Sequence, residues 1–243
     1  MRRVLVTEDI HPRGMEILMA EANIEIVRVR NIEPETLRIA VGNVDAILVR
    51  SAIFPADILQ EAKQLKIVSR HGVGCDNIDV DHLSARGIPV AIASGSNALS
   101  VAEHTLGLML ATARDLVNQD TLVKKGCWTD RNKFRAVDLC GAKVVIVGFG
   151  RTGRKVAPLC KALGMEVVVA DIALDIDLAA KMDCRGVFDF RLELGDADFL
   201  TLHVPLNDST RHMVSANELA AMKHGGILIN CARGGVVNNS ALF

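Results

Sequence analysis

Three glycines and one acid are the residues of this sequence whose spacing speaks most directly of chemistry. The stretch "VVIVGFGRTG" carries G-x-G-x-x-G at Gly148, Gly150 and Gly153, directly after an apolar run and directly before a helical pattern. In that context the first glycine permits a tight turn, the second lets backbone approach a pyrophosphate with no Cβ in the way, and the third lets helix and strand pack closely. The helix N-terminus then offers free N–H groups to the phosphates. Asp171 closes the next apolar run, "EVVVAD", where a carboxylate can accept hydrogen bonds from an adenosine ribose and repel a 2′-phosphate. Ile172 and Ala173 bring no cation to hold such a phosphate. The pattern predicts a dinucleotide site that prefers NAD to NADP; a glycine-rich turn without a ligand is the alternative.

Three further stretches could grip a small anion. "VRS" puts Arg50 and Ser51 at the end of "AILVR", "RHGVGCDNID" puts Gly72, Val73 and Gly74 after "LKIVS", and "NCARGG" puts Arg233 after "GILI". An arginine fork donates two parallel hydrogen bonds to a carboxylate, and a glycine-rich turn can aim successive N–H groups at one anion. Taken singly, Arg50 also reads as a solvated strand-end charge, and "GVG" as plain turn punctuation.

The elements that must position these residues follow from periodicity. Five short apolar runs, "RVLVT", "IEIVRV", "AILVR", "LKIVS" and "PVAIA", alternate with amphipathic stretches over the first 95 residues. Strand alternating with helix predicts an α/β doubly wound parallel sheet. Near Ser100 the pattern changes: "SVAE" fits a capping box at Ser100 and Glu103, and "HTLGLMLATARDLV" is apolar on nearly every face, as in a helix buried between two bodies. A second βαβ series begins at "KVVIVGFG" and runs through a helix that contains Pro158, where a kink is expected. The expectation is two α/β domains bridged by the helix at 100–117.

Composition bounds the rest. The 243 residues, half of them apolar, suffice for a sizeable core. Lys+Arg 28 against Asp+Glu 29 leaves a net charge of −1, so nucleic acid and anionic membranes are not expected partners, and a small molecule is. In "MRRVLVTEDIHP" Glu8 and Asp9 interrupt the apolar run too early for a signal peptide, and no stretch is long enough to span a bilayer. Cys75, Cys127, Cys140, Cys160, Cys184 and Cys231 are scattered and form no C-x-x-C, which predicts reduced thiols in a cytoplasmic protein and no metal site.

Taken together, the motifs resemble those of the D-isomer-specific 2-hydroxyacid dehydrogenases, most closely the phosphoglycerate dehydrogenase branch. The resemblance covers the whole chain and rests on "VRS" at 49–51, "GVGCDNID" at 72–79, "NALSVAEHTLGLML" at 97–110, "GFGRTG" at 148–153, "HVPL" at 203–206 and "NCARGG" at 230–235. It implies a flavodoxin-like substrate-binding domain over 1–97, without its C-terminal closing helix. It also implies a Rossmann NAD domain over 98–243, with a dimerisation arm at about 100–140 and without its last strands. Val73 and Gly74 would meet the substrate carboxylate through backbone N–H groups, with Arg50, Ser51 and Asn97 on the substrate side. Arg151, Thr152, Asp171, Val204 and Cys231 would touch NAD beside the three glycines. Arg233, at the cofactor edge, would hold the carboxylate and carbonyl of a 2-oxo acid while hydride passes to or from C2. A homodimer is implied.

The family's mechanism also uses a histidine that moves the hydroxyl proton and a carboxylate that orients it, both on segments later in the fold than the arginine. The sequence given ends at Phe243, and its "VVNNSALF" has Asn238 and Asn239 where the family usually carries acids. His203 stands near the cofactor edge but matches a family histidine beside the catalytic one. His212 and His224 read as solvated, His71 and His104 as structural. The expectation is an NAD-dependent oxidoreductase acting on a 2-hydroxy or 2-oxo acid such as 3-phosphoglycerate, with feeble turnover in these residues alone. The alternative is a non-catalytic NAD-binding or interaction protein.

Overall fold

The structure is a computed structural model that describes residues 1–133 and 136–242. Phe134 and Arg135, within the segment where the resemblance puts a dimerisation arm, and Phe243 lie outside the described residues. The chain divides into two compact units, Met1–Ser96 and Asn97–Phe243. Asn97 therefore begins the second unit instead of ending the first.

The first unit runs β1 (Arg2–Val6), α1 (Pro12–Ala20), β2 (Ile24–Arg28), α2 (Pro34–Val41), β3 (Ala46–Val49), α3 (Ala56–Leu59), β4 (Ile67–Arg70), α4 (Val80–Ala85) and β5 (Val90–Ile92). Its strands pair in parallel in the order β2-β1-β3-β4-β5, the flavodoxin-like doubly wound order. Alternation along β1 explains the two-sided burial. Leu5 joins the core under α2, while Val4 and Val6 face Met15 of α1. Each apolar run read from the sequence overlaps one of these strands.

The second unit opens with α5 (Ala98–Ala113) and α6 (Leu116–Lys124). It continues with β6 (Lys143–Val147), α7 (Gly153–Ala162), β7 (Glu166–Ala170), α8 (Ile176–Lys181), β8 (Arg185–Val187), β9 (Phe199–Leu202), α9 (Ala216–Ala221) and β10 (Ile227–Asn230). Short 3-10 turns lie at Trp128–Lys133, Phe190–Glu193, Gly234–Val236 and Asn239–Ala241. The parallel sheet has the order β10-β9-β6-β7-β8. Renumbered within the unit this is 3-2-1-4-5, five of the six strands of the Rossmann order. Along β6, Val144 and Ile146 enter one core, and Val145 and Val147 the other. Both faces are covered.

Three expectations about local structure change. α5 starts at Ala98 behind Asn97, and Val101 N donates to Asn97 O at 2.9 Å, so Ser100 and Glu103 lie inside the first turns and form no capping box. The buried Ala98, a strong helix former, draws the start back. The S-x-x-E pattern that does cap is Ser215–Glu218 at α9, where Ser215 N donates to Glu218 Oε2 at 3.0 Å. Second, α5 buries one stripe, Ala98, Ala102, Thr105, Met109 and Ala113, against α7 and β10, and leaves Leu99 and His104 exposed. His104 is thus not a buried structural residue of this unit. Third, α7 runs continuously through Pro158.

Candidate functional site

The second unit's candidate residues gather at the carboxyl edge of its sheet. Between β6 and β9 the strand order changes direction, and there the backbone of Gly148 passes against β9. Gly148 has φ 96°, a left-handed conformation that disfavours side chains, and a Cβ on it would stand 2.7 Å from the His203 carbonyl oxygen. A Cβ on Gly153 would overlap the Gly148 carbonyl oxygen, so only glycine lets α7 start this close to β6. Gly150 differs: nothing lies within 4 Å of its Cβ position, which leaves an open face on the turn. The N–H groups of Gly150, Arg151 and Thr152 donate no backbone hydrogen bond among the described residues. Arg151 is exposed and Thr152 half-buried.

Asp171 follows β7. Its Oδ2 accepts from Phe149 N at 2.8 Å and its Oδ1 from Ala173 N at 3.0 Å, so the acid braces the glycine turn while each oxygen keeps a lone pair for a further donor. Val204 lies beside Gly148 after β9, its Cγ1 3.1 Å from the Gly148 Cβ position. After β10, Cys231 and Arg233 are half-buried. Arg233 Nη1 donates to Ala232 O at 2.9 Å. Asn230, singled out by no spacing argument, ties this turn: its amide donates to Arg233 O at 2.9 Å and its Oδ1 accepts from Ala232 N at 3.0 Å.

His203 does not behave as an acid here. Thr201 Oγ1 lies 3.0 Å from its Nε2, its Nδ1 is buried without a partner among the described residues, and burial lowers its pKa from 6.5 to about 4. It is a neutral imidazole at neutral pH. His212 and His224 are exposed, as expected.

In the first unit the strand order changes direction between β1 and β3. Arg50 and Ser51 follow β3 and are exposed. Their backbone N–H groups and that of Ala52 converge on Glu8, which follows β1: Oε2 accepts from Arg50 at 3.0 Å, Ser51 at 2.7 Å and Ala52 at 3.1 Å. Burial would raise the Glu8 pKa, but the N–H groups of Ser51 and Ala52 and the hydroxyls of Ser51 and Thr7 outweigh it and bring it from 4.5 to about 2. Val73 and Gly74 lie half-buried in the turn after β4, and their N–H groups donate no backbone hydrogen bond among the described residues. Arg70 and Asn77 stiffen this turn. Arg70 donates from Nη1 to His71 O at 2.6 Å and from Nε to Asn77 Oδ1 at 3.3 Å, and Asn77 Nδ2 donates to Ala52 O at 2.7 Å. Glu8, Arg70 and Asn77 were not among the expected site residues; Asn77 lies inside "GVGCDNID", but Glu8 reads only as a charge that ends an apolar run. Asn97 is the exposed residue preceding α5.

The glycine turn, Asp171 and the Arg233 turn lie at the carboxyl edge of a sheet with the Rossmann strand order, the arrangement of a dinucleotide-binding unit. Residues 106–243 match the family described as D-isomer specific 2-hydroxyacid dehydrogenase, NAD binding domain, and the chain belongs to that family. It is 36% identical over 244 residues to the D-3-phosphoglycerate dehydrogenase of Methanocaldococcus jannaschii, covering 100% of this chain and 46% of that protein. To the hydroxypyruvate reductase of Thermotoga maritima it is 36% identical, over 99% of this chain and 77% of that protein. The crystal structure of the Aquifex aeolicus D-lactate dehydrogenase complexed with NAD and lactic acid superposes with a TM-score of 0.86 at 28% identity, over 98% of this chain and 72% of that one. The chain spans about half the length of the phosphoglycerate dehydrogenases it matches.

Proposed function

We propose that the chain is an NAD-dependent oxidoreductase of the D-2-hydroxyacid dehydrogenase type, acting on a small 2-hydroxy or 2-oxo acid such as 3-phosphoglycerate. The observation that carries this reading is the Gly148–Gly153 turn at the change of strand direction, open at Gly150 and braced by Asp171. These residues fit NAD: the turn offers N–H groups to the pyrophosphate and Asp171 an acceptor to the ribose. NAD, when bound, supplies a site that takes or gives hydride. Arg151, Thr152, Val204 and Cys231 would touch it as well.

The first unit serves as the substrate-binding domain and the second, which begins at Asn97, as the NAD domain. Val73 and Gly74 present N–H groups to the substrate carboxylate, with Arg50, Ser51 and Asn97 beside them. Arg233 is the catalytic residue: its planar fork holds carboxylate and carbonyl, and its charge stabilises the negative oxygen that develops at C2. The protein acts as a homodimer through the segment at 100–140, supported by the exposed Val117, Val123 and Trp128. A cytoplasmic location is supported by six unpaired cysteines. A second reading, a non-catalytic NAD-binding or interaction protein, is favoured by one observation, that the Nδ1 of His203 is enclosed without a partner among the described residues.

Calorimetric titration tests the proposal. NADH should bind more tightly than NADPH, and Asp171→Ala should weaken NADH and narrow the difference. Equal or tighter NADPH binding by the unaltered chain overturns the Asp171 assignment, and no binding of either overturns the whole reading.

A further inference from the structure

In a flavodoxin-like sheet the natural place for a ligand is outside the carboxyl ends of the strands where their order changes direction, here between β1 and β3. Three consecutive N–H groups, those of Arg50, Ser51 and Ala52, converge at that place in the arrangement that would receive an anion. The anion they receive is the chain's own Glu8, whose other oxygen also accepts from Ser51 N at 2.8 Å. The neighbouring Asp9 carbonyl accepts from Arg50 Nη1 at 3.1 Å, and the carbonyl of Ala52 accepts from Asn77 Nδ2 at 2.7 Å. Asn77 in turn lies on the segment that carries Val73 and Gly74. The backbone of 50–52 is thus clamped from the end of β1 and from the loop after β4.

We propose that Glu8 is a positioning residue of the substrate site: by filling the N–H nest at 50–52 with a built-in carboxylate, it fixes the side chains of Arg50 and Ser51 relative to the Val73–Gly74 turn. This rests on the substrate-side reading given above. The chemistry requires an acid. All three N–H groups reach one carboxylate oxygen and that of Ser51 reaches both, so an amide of the same shape can keep its oxygen on the three only by turning its NH₂ group against Ser51 N, and it gives up the charge that strengthens each bond. A released turn lets Arg50 and Ser51 swing, and misplacement of gripping groups by about 1 Å is enough to lose binding on the order of tenfold or more. Because the nest is filled from within, substrate anions are met by the side chains at 50–51 and by the N–H groups at 73–74.

Glu8→Gln is the test variant and Glu8→Asp the conservative one, both in the full 243-residue chain. Amide hydrogen exchange reads the clamp directly: the N–H groups of Arg50, Ser51 and Ala52 should be protected in the unaltered chain and exchange fast in Glu8→Gln, while those of Leu5 and Val68 in the sheet stay protected as proof of folding. Titration with 3-phosphoglycerate and hydroxypyruvate in saturating NADH should show affinity lowered on the order of tenfold by Glu8→Gln, partly restored in Glu8→Asp, with NADH affinity itself unchanged. Exchange at 50–52 that is equally fast in all three chains overturns the clamp. A protected clamp with acid affinity equal in Glu8→Gln and the unaltered chain overturns the positioning role. An unaltered chain that binds NADH but neither acid overturns the substrate-side reading and the role of Glu8 within it, while exchange still decides the clamp.

Discussion

His203 shows how burial at one residue decides its chemistry. Its folded pKa of about 4 lies below the ordinary 6.5, so the unfolded chain binds the extra proton first. The stability it confers is complete above about pH 6.5 and is lost as pH falls toward 4, at up to about 1.4 kcal/mol per pH unit. Chemical denaturation between pH 7 and 5 should show this slope, and His203→Gln should flatten it; an unchanged slope would mean that another group titrates there. Glu8, held at about 2, keeps its full contribution until pH falls below 4.5 and so adds no slope between pH 7 and 5. Legibility at this scale depends on how local the partners are. Gly148, Gly150 and Gly153 declare themselves because the turn lies within six residues, and Asp171 because it ends the adjacent strand. Glu8 is illegible because the N–H groups it receives lie 42 to 44 residues away. Burial of His203 depends on the packing of β6 and β9, which no spacing reveals.

Among the elements, the β6–α7 junction separates fold from ligand at neighbouring glycines. A Cβ at Gly153 meets backbone, so Gly153→Ala should lower stability by about 1–3 kcal/mol and weaken NADH with it. A Cβ at Gly150 meets nothing, so Gly150→Ala should melt like the unaltered chain yet lose NADH affinity. Calorimetry with and without NADH reads both; a Gly150→Ala chain that binds NADH normally would deny that the open face of the turn is the phosphate side. The opposite edge of the same sheet is held by charge. Glu193, gripped by Arg185 against the effect of burial and also by Lys143 at 2.7 Å, has its pKa lowered to about 2. Its contribution is present above pH 4.5 and is lost toward pH 2. Glu193→Gln strands a buried Lys143 with the exposed Asp196 as its remaining partner, and should destabilise by roughly 3 kcal/mol at pH 7 with a smaller acid-induced loss, readable by urea unfolding at both pH values. The apolar runs made most strands readable. β8 was not, because its three residues Arg185–Val187 around Gly186 have no period to detect.

Across the whole molecule, alternating strand and helix foretold two parallel sheets, but not which strands become neighbours. That order decides function, since each sheet's change of direction gathers the candidate residues: Glu8 with Arg50 and Ser51 in one unit, Gly148 with Val204 in the other. On the proposed reading the two edges would supply grip and cofactor cradle, and proton transfer is a separate requirement. Hydride delivery to C2 leaves a negative oxygen, which Arg233 can stabilise but, as a guanidinium, cannot readily protonate at neutral pH. Among the described residues of the second unit, His203 is half-buried with its Nδ1 enclosed and is neutral, and His104, His212 and His224 are exposed. A positioned general acid contributes about 10² to 10⁴ in rate, equivalent to roughly 3 to 5 kcal/mol of barrier. These 243 residues alone should therefore bind NADH and oxidise it with 2-oxo acids more slowly by about that factor than a chain continued with a family-type histidine and carboxylate. Arg233→Ala should remove what turnover remains. The measurement is NADH oxidation at high protein concentration with hydroxypyruvate and other 2-oxo acids, run on all three chains in parallel. Ordinary dehydrogenase rates in the 243-residue chain would show that a proton donor does act within it, and His203→Ala would then separate the imidazole from solvent as its source.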